Sequence, residues 1–235
     1  MKNPAVASSR QFYARVAGFT VLFYMAVGFT SVSLYSQATD AEGTSAILTR
    51  ITAHATALRM TVLLELLECF SALVLAVTLY RITRDESNEL AMLAMICRVC
   101  ECVLAAIGIK NTIGLLWLAN GGAGNGATTG TIGSFILMPA QSSMIGAPFF
   151  ALGSMIFAYL LLRGRSIPVV LAWLGVLASA VLVVGVPLQL AGFIKAPLTL
   201  YLWLPMLAYQ VPLGFWLLIK GVAAPVRNDQ YEFAK

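Results

Sequence analysis

Apolar residues run almost unbroken over 14–36, 58–80, 90–118, 142–162, 168–193 and 198–219, and polar residues collect between these runs. Each run meets the ~20 residues needed to cross ~30 Å of hydrocarbon at 1.5 Å per residue. The pattern predicts an all-α fold, a polytopic membrane bundle of six transmembrane helices. The third run is long enough to tilt or protrude. Between the fifth and sixth, the only break is Lys195-Ala196-Pro197, where the residue before proline leaves helical geometry. The first run exceeds the ~7–15 residues of a signal-peptide core, so it reads as a retained helix.

The connecting segments complete the expected layout: a cytoplasmic tail over 1–13, one transmembrane domain over 14–222 and a second cytoplasmic tail over 223–235. Outer segments fall at 37–57 and 119–139. The first suits a short surface helix. The second opens with the uncharged "ANGGAGNGATTGTIGS" (119–134), whose glycines predict a flexible loop. No Gly-Lys-Ser/Thr follows, so it is not a phosphate-binding loop. "RITRDESNE" is a polar turn in which Asp85 or Ser87 would cap the third helix.

Composition agrees with this threading. Hydrophobic residues make up 60% of the chain and charged residues 11%, against ~45–50% and ~25% in soluble domains. With both termini inside, the cytoplasmic side carries ten Lys and Arg, the outer side Arg50, Arg59 and Lys195, and Arg98 and Lys110 stay within the membrane. That bias predicts cytoplasmic termini. It also accounts for the net charge of +5 as a threading signal, with no dense basic cluster and no nucleic-acid partner. The expected partner is the lipid bilayer, with a membrane protein partner or a homo-oligomer also open.

Five ionisable residues fall inside the second and third spans: Glu65, Glu68, Arg98, Glu101 and Lys110. Each costs about 2.5–3.5 kcal/mol at the bilayer centre on insertion scales, which makes such groups functional candidates. The two spans form an antiparallel hairpin with its midplane near Cys69 and Cys102. Glu68 and Glu101 then lie close to the midplane, with Arg98 and Glu65 about 6 Å to its inner and outer sides and Lys110 about 12 Å to the outer side. Glu65 and Glu68 share a face. The expected pairs are Arg98 with Glu101 or Glu68, while Lys110 reaches toward Glu65 or snorkels outward. Three acids against two bases leave one carboxyl without a fixed partner, and such a group in low dielectric takes up a proton. The cluster is either a staple between helices or a proton, ion or ligand site.

The four cysteines, Cys69, Cys97, Cys100 and Cys102, lie at similar depth. Four thiolates can form a metal shell. On one helix, however, Cys97 and Cys100 differ by about 300° and Cys97 and Cys102 by about 140°, so the three do not converge. The only histidine is His54, in an outer segment. No metal site is therefore expected of them, the thiols read as small apolar fillers, and no cofactor is expected.

Pro148 is expected to interrupt the fourth helix, Pro187 the fifth, and Pro205 and Pro212 the sixth, with Gln189 and Gln210 nearby. Kinks of this kind either only shape packing or open a cavity beside the charged hairpin. Ala147 with Ala151, and Gly175 with Ser179, allow close helix contact. Trp117, Trp173, Trp203, Tyr13 and Tyr35 suit interfacial belts.

Several stretches resemble the bacterial membrane family known as domain of unknown function 4386. They are "RVAGFTVLFY" (15–24), the second helix with Arg59 followed six residues later by Glu65 and a Leu-Tyr end, "LAMLAMICRV" (90–99) with Arg98, "SIPVVLAWLGVL" (166–177) and "WLLIKGV" (216–222). The resemblance spans most of 15–222 and implies a topology and a bacterial cytoplasmic (inner) membrane location, but no reaction. It also implies an acid six residues before the last Trp, where this chain has Gln210, and Glu68 and Glu101 would compensate for it. Three function classes stay open. A small transporter, channel or ligand sensor predicts a wet cavity at the cluster. An accessory or assembly subunit predicts a dry, fully paired cluster. A membrane enzyme or metal/redox protein predicts thiols gathered with a carboxylate. No Ser/His/Asp set, H-E-x-x-H or Walker sequence supports an enzyme.

Overall fold

The computed structural model describes residues 4–121, 127–137, 145–194 and 199–223. They form eight helices in chain order: α1 Pro4–Thr39, α2 Thr44–Ala53, α3 Ala55–Thr83, α4 Asn88–Ala119, α5 Ala127–Leu137, α6 Ala147–Arg163, α7 Val169–Leu190 and α8 Thr199–Ile219. No strand occurs among the described residues. Five helices (α1, α3, α4, α7 and α8) are long and apolar enough to cross a membrane. The remaining expected span, 142–162, corresponds to α6, an apolar helix of 17 residues. Its rise is roughly 26 Å, slightly short of the hydrocarbon thickness.

These six helices pack in a ring: α1 against α3, α3 against α4, α4 against α6, α6 against α7, α7 against α8, and α8 back against α1. Small residues and leucines fill its interior, among them Ala14, Ala17, Ala94, Ala151, Leu160, Leu182 and Leu217. Of the expected small-residue pairs, Ala151 and Ser179 are fully buried and Gly175 lies against the Tyr209 ring. The outward faces carry large apolar side chains, such as Leu63, Phe70, Val77, Val170 and Val184. An apolar exterior of this extent suits lipid as the surrounding solvent.

The short helices sit together at one end. α2 and α5 contact each other and α4, and α2 also touches α1 and α3. A small core of Ala38, Ile51, Leu58 and Leu115 seals that end, with Ile136 and Leu137 of α5 packed on it. The surface helix expected within 37–57 is α2. The loop expected over 119–134 needs correction, because 127–137 is helical and residues 122–126 lie outside the described residues. Glycine and threonine disfavour an isolated helix. Here Ile136 and Leu137 dock on the small core, and Gly133 lets α5 approach Thr44 and Leu48 of α2.

At the helix ends, local chemistry decides. Ser87, rather than Asp85, caps α4, its hydroxyl accepting from the Leu90 N–H at 3.4 Å. α7 stops at Gly192, whose φ of +83° lets the Phe193 N–H reach back to the Leu188 carbonyl at 2.9 Å. The proposed Lys195-Ala196-Pro197 break falls on 195–198, outside the described residues. Pro148 also needs correction: it lies in the first turn of α6, where no intrahelical N–H is lost, so it interrupts nothing. Pro187, Pro205 and Pro212 do lie within helices.

The end of α6 has the same geometry as that of α7, with Arg165 where glycine is usual. Its φ is +46°, and the Ser166 N–H bonds the Leu161 carbonyl at 3.0 Å. A left-handed non-glycine residue costs about 1–2 kcal/mol. Arg165→Gly is therefore expected to stabilise the protein by about 1 kcal/mol, raising its thermal midpoint in detergent, whereas Arg165→Ala brings no gain.

The end opposite α2 and α5 is tied by side chains. Arg10 is buried, and its Nη2 donates to the Ile82 carbonyl at 3.0 Å and to Ser166 Oγ at 3.2 Å. Gln11 clasps Val222, donating to its carbonyl at 2.7 Å and accepting from its N–H at 3.3 Å. α1 is thereby fixed to the ends of α3 and α8 and to the α6–α7 turn.

Candidate functional site

Glu65, Glu68, Arg98 and Glu101 gather on the inner face of the α3–α4 hairpin, beside Tyr24 of α1. Arg98 and Glu101 are one helical turn apart on α4, and Arg98 Nη1 meets Glu101 Oε2 at 2.6 Å. Arg98 is 2% exposed and Glu101 8%. Of the two expected partners for Arg98, the carboxylate on its own helix is the one that pairs. The guanidinium is also held between rings, 4.7 Å from the Phe150 centroid and 5.8 Å from that of Tyr24. Such contacts stabilise a desolvated cation by up to ~2 kcal/mol.

Tyr24 of α1 closes the site from the other side. Its hydroxyl donates to Glu101 Oε1 at 3.4 Å, and it lines a cavity shared with Glu68. Glu65 receives the Thr112 hydroxyl at 3.3–3.4 Å. Lys110, the partner expected for Glu65, is exposed and makes no ion pair among the described residues.

All three acids face one cavity of about 330 Å³. It runs from Glu68 and Glu101 toward the end covered by α2 and α5, between walls of Tyr24, Ser31 and Tyr35 from α1 and Asn111 and Thr112 from α4, with Ile136 of α5 beside its mouth. Among the described residues, no lysine, arginine or histidine lines it. A volume near 300 Å³ is at the small end of ligand sites.

Of the two expected roles for the prolines, shaping packing or opening a cavity, neither makes them part of this cavity's lining. Pro148, Pro187, Gln189, Pro205 and Pro212 are absent from its walls. Gln210 instead lines a second, smaller chamber of about 30 Å³ together with Arg98. The thiols divide as helical angles require. Cys69 and Cys102 meet across the hairpin, each thiol directed at the other's carbonyl at 3.8 and 3.6 Å, and both line the cavity. Cys97 is buried elsewhere and Cys100 is half-buried. Among the described residues, no three His, Cys, Asp or Glu side chains group as a metal site would require.

Tyr24, Tyr35 and Thr112 are site residues that sequence reasoning missed. Tyr35 was expected at an interface, and it instead forms a cavity wall. A usable signal did exist: in α1 the polar positions Tyr24, Ser31 and Tyr35 recur at helical spacing on one face of an otherwise apolar span.

A closed ring of apolar helices, clad in exposed hydrophobic side chains and holding a buried ion pair beside an acidic cavity, defines a multi-pass α-helical membrane protein. Within that class the chain belongs to the family described as Domain of unknown function (DUF4386), whose model matches residues 16–221. No curated protein and no solved structure was found to match the chain.

Proposed function

We propose that the protein is a small membrane transporter or ligand sensor whose cavity between α1, α3 and α4 takes up a proton or another small cation. One observation carries this reading: Glu65, Glu68 and Glu101 all face a single cavity, and no basic side chain among the described residues lines it. Arg98 neutralises one of the three, leaving Glu65 with a threonine hydroxyl and Glu68 without an ion-pair partner among the described residues. A purely structural staple needs neither the excess carboxylates nor the space beside them. On this reading the protein sits in the inner membrane of a bacterium with both termini in the cytoplasm, as the Lys/Arg bias indicates, and the α2–α5 end faces outward.

The test is infrared difference spectroscopy on protein reconstituted in lipid, titrated across roughly pH 4–10 and then with sodium and tetramethylammonium chloride. A carboxyl band that exchanges with deuterated water within seconds, responds to added cation and disappears in Glu68→Gln is the expected result. Glu65→Gln and Glu101→Gln assign the remaining bands. Bands that neither titrate nor exchange would identify a closed staple and exclude a cation site.

A further inference from the structure

The acidic cavity stops at the Arg98–Glu101 pair, and a separate chamber begins on the other side of Arg98. This chamber of about 30 Å³ lies between α1, α3, α4, α6 and α8, and its polar walls are Arg98, Ser154, Tyr209 and Gln210. Arg98 Nη1 is committed to Glu101, but Nη2 is buried and has no hydrogen-bond partner among the described residues. Leaving a buried donor unsatisfied costs about 1–3 kcal/mol, and more when the group is charged. One water needs roughly 10–15 Å³ and two to four polar neighbours; the chamber has the volume, and Arg98, Ser154, Tyr209 and Gln210 are among its lining residues.

We infer that this chamber is an internal hydration site in which Arg98 Nη2, Ser154 and Gln210 hold one or two water molecules. The Arg98–Glu101 pair is then the single barrier between two wet compartments, one open to the cavity and one reaching toward α8. Arg98 becomes the shared wall, its Nη1 facing the carboxylate and its Nη2 facing the water. Gln210 acts as a positioning residue for that water. Hydration of the chamber stands on its own, while its use as the far station of a cation or proton path rests on the function proposed above.

Radiolytic hydroxyl footprinting with mass spectrometry tests the inference on the full-length protein in lipid nanodiscs, the probe being water itself. Bound water is activated where it sits and marks neighbouring side chains even when they are buried. Leu213 and Tyr209 line the chamber and are each 4% exposed, whereas Leu182 and Leu58 are fully buried in other parts of the core. Leu213 is expected to be modified several-fold faster than Leu182 and Leu58, with Tyr209 also modified. Ser154→Leu, which fills the chamber, is expected to abolish both marks while those on Tyr24 and Tyr35 in the large cavity persist. Equal, near-zero modification of Leu213 and Leu182 in the wild-type protein would overturn the inference without reference to any variant. A dry chamber beside a responsive Glu68 band would leave the cation site standing and remove only the second compartment. A wet chamber with silent carboxyls would do the reverse.

Discussion

Arg98→Gln is expected to destabilise the protein by about 3–5 kcal/mol, because it strands the Glu101 carboxylate in a site that is 8% exposed. Removing one partner of a buried pair costs far more than removing both, since the remaining charge is left largely desolvated and without its counter-ion. The double variant Arg98→Gln, Glu101→Gln is therefore expected to recover most of the loss. Tyr24 alone, at 3.4 Å from the carboxylate, does not replace a guanidinium at 2.6 Å. Reversible unfolding in mixed micelles provides the four corners of a double-mutant cycle. A coupling below about 0.5 kcal/mol would mean that the pair is not energetically joined, and the barrier role assigned to it would lose its basis.

Gly18→Ala is expected to loosen the α1–α8 contact by about 1–3 kcal/mol despite alanine's better helix propensity. A methyl group there would stand 2.7 Å from the Gly214 carbonyl oxygen and 2.9 Å from the Leu217 carbonyl carbon, backbone atoms that cannot rotate aside. Gly214→Ala crowds mainly the Leu22 side chain, whose Cγ and Cδ2 both stand at 2.8 Å, and reaches the Gly18 carbonyl oxygen only at 3.4 Å. Rotation of that leucine offsets the crowding, and the ~1 kcal/mol gained in propensity leaves Gly214→Ala near neutral. Thermal unfolding of the two variants in one detergent checks the order. Equal midpoints would show that the two helices separate slightly at no cost.

How far the sequence could be read followed from how local each interaction is. Arg98 and Glu101 are three residues apart on one helix, so their pairing needed no knowledge of the fold. The hairpin was legible because its two helices are consecutive and joined by a short polar turn. Tyr24 was not, since it meets Glu101 across 77 positions and tyrosine in a span also suits the membrane surface. Gly18 and Gly214 share no repeat or spacing that announces their contact. α5 was hidden for a different reason: its glycines and threonines argue against helix, and only docking on α2 and α4 overrides them. The prolines misled because a proline in the first turn of a helix and one in its interior look alike until the boundary is known.

The contact between α1 and α8 also bears on biogenesis. α1 packs against α8, so the ring cannot close until α8 has been synthesised. Until then the bare backbone around Gly18 faces lipid or a waiting chaperone. Arg10 meets Ile82 early, but it gains Ser166 only once the α6–α7 turn has emerged, and Gln11 gains Val222 only after α8. A chain truncated before α8 would leave an open seam between α1 and α7, the two helices that α8 joins.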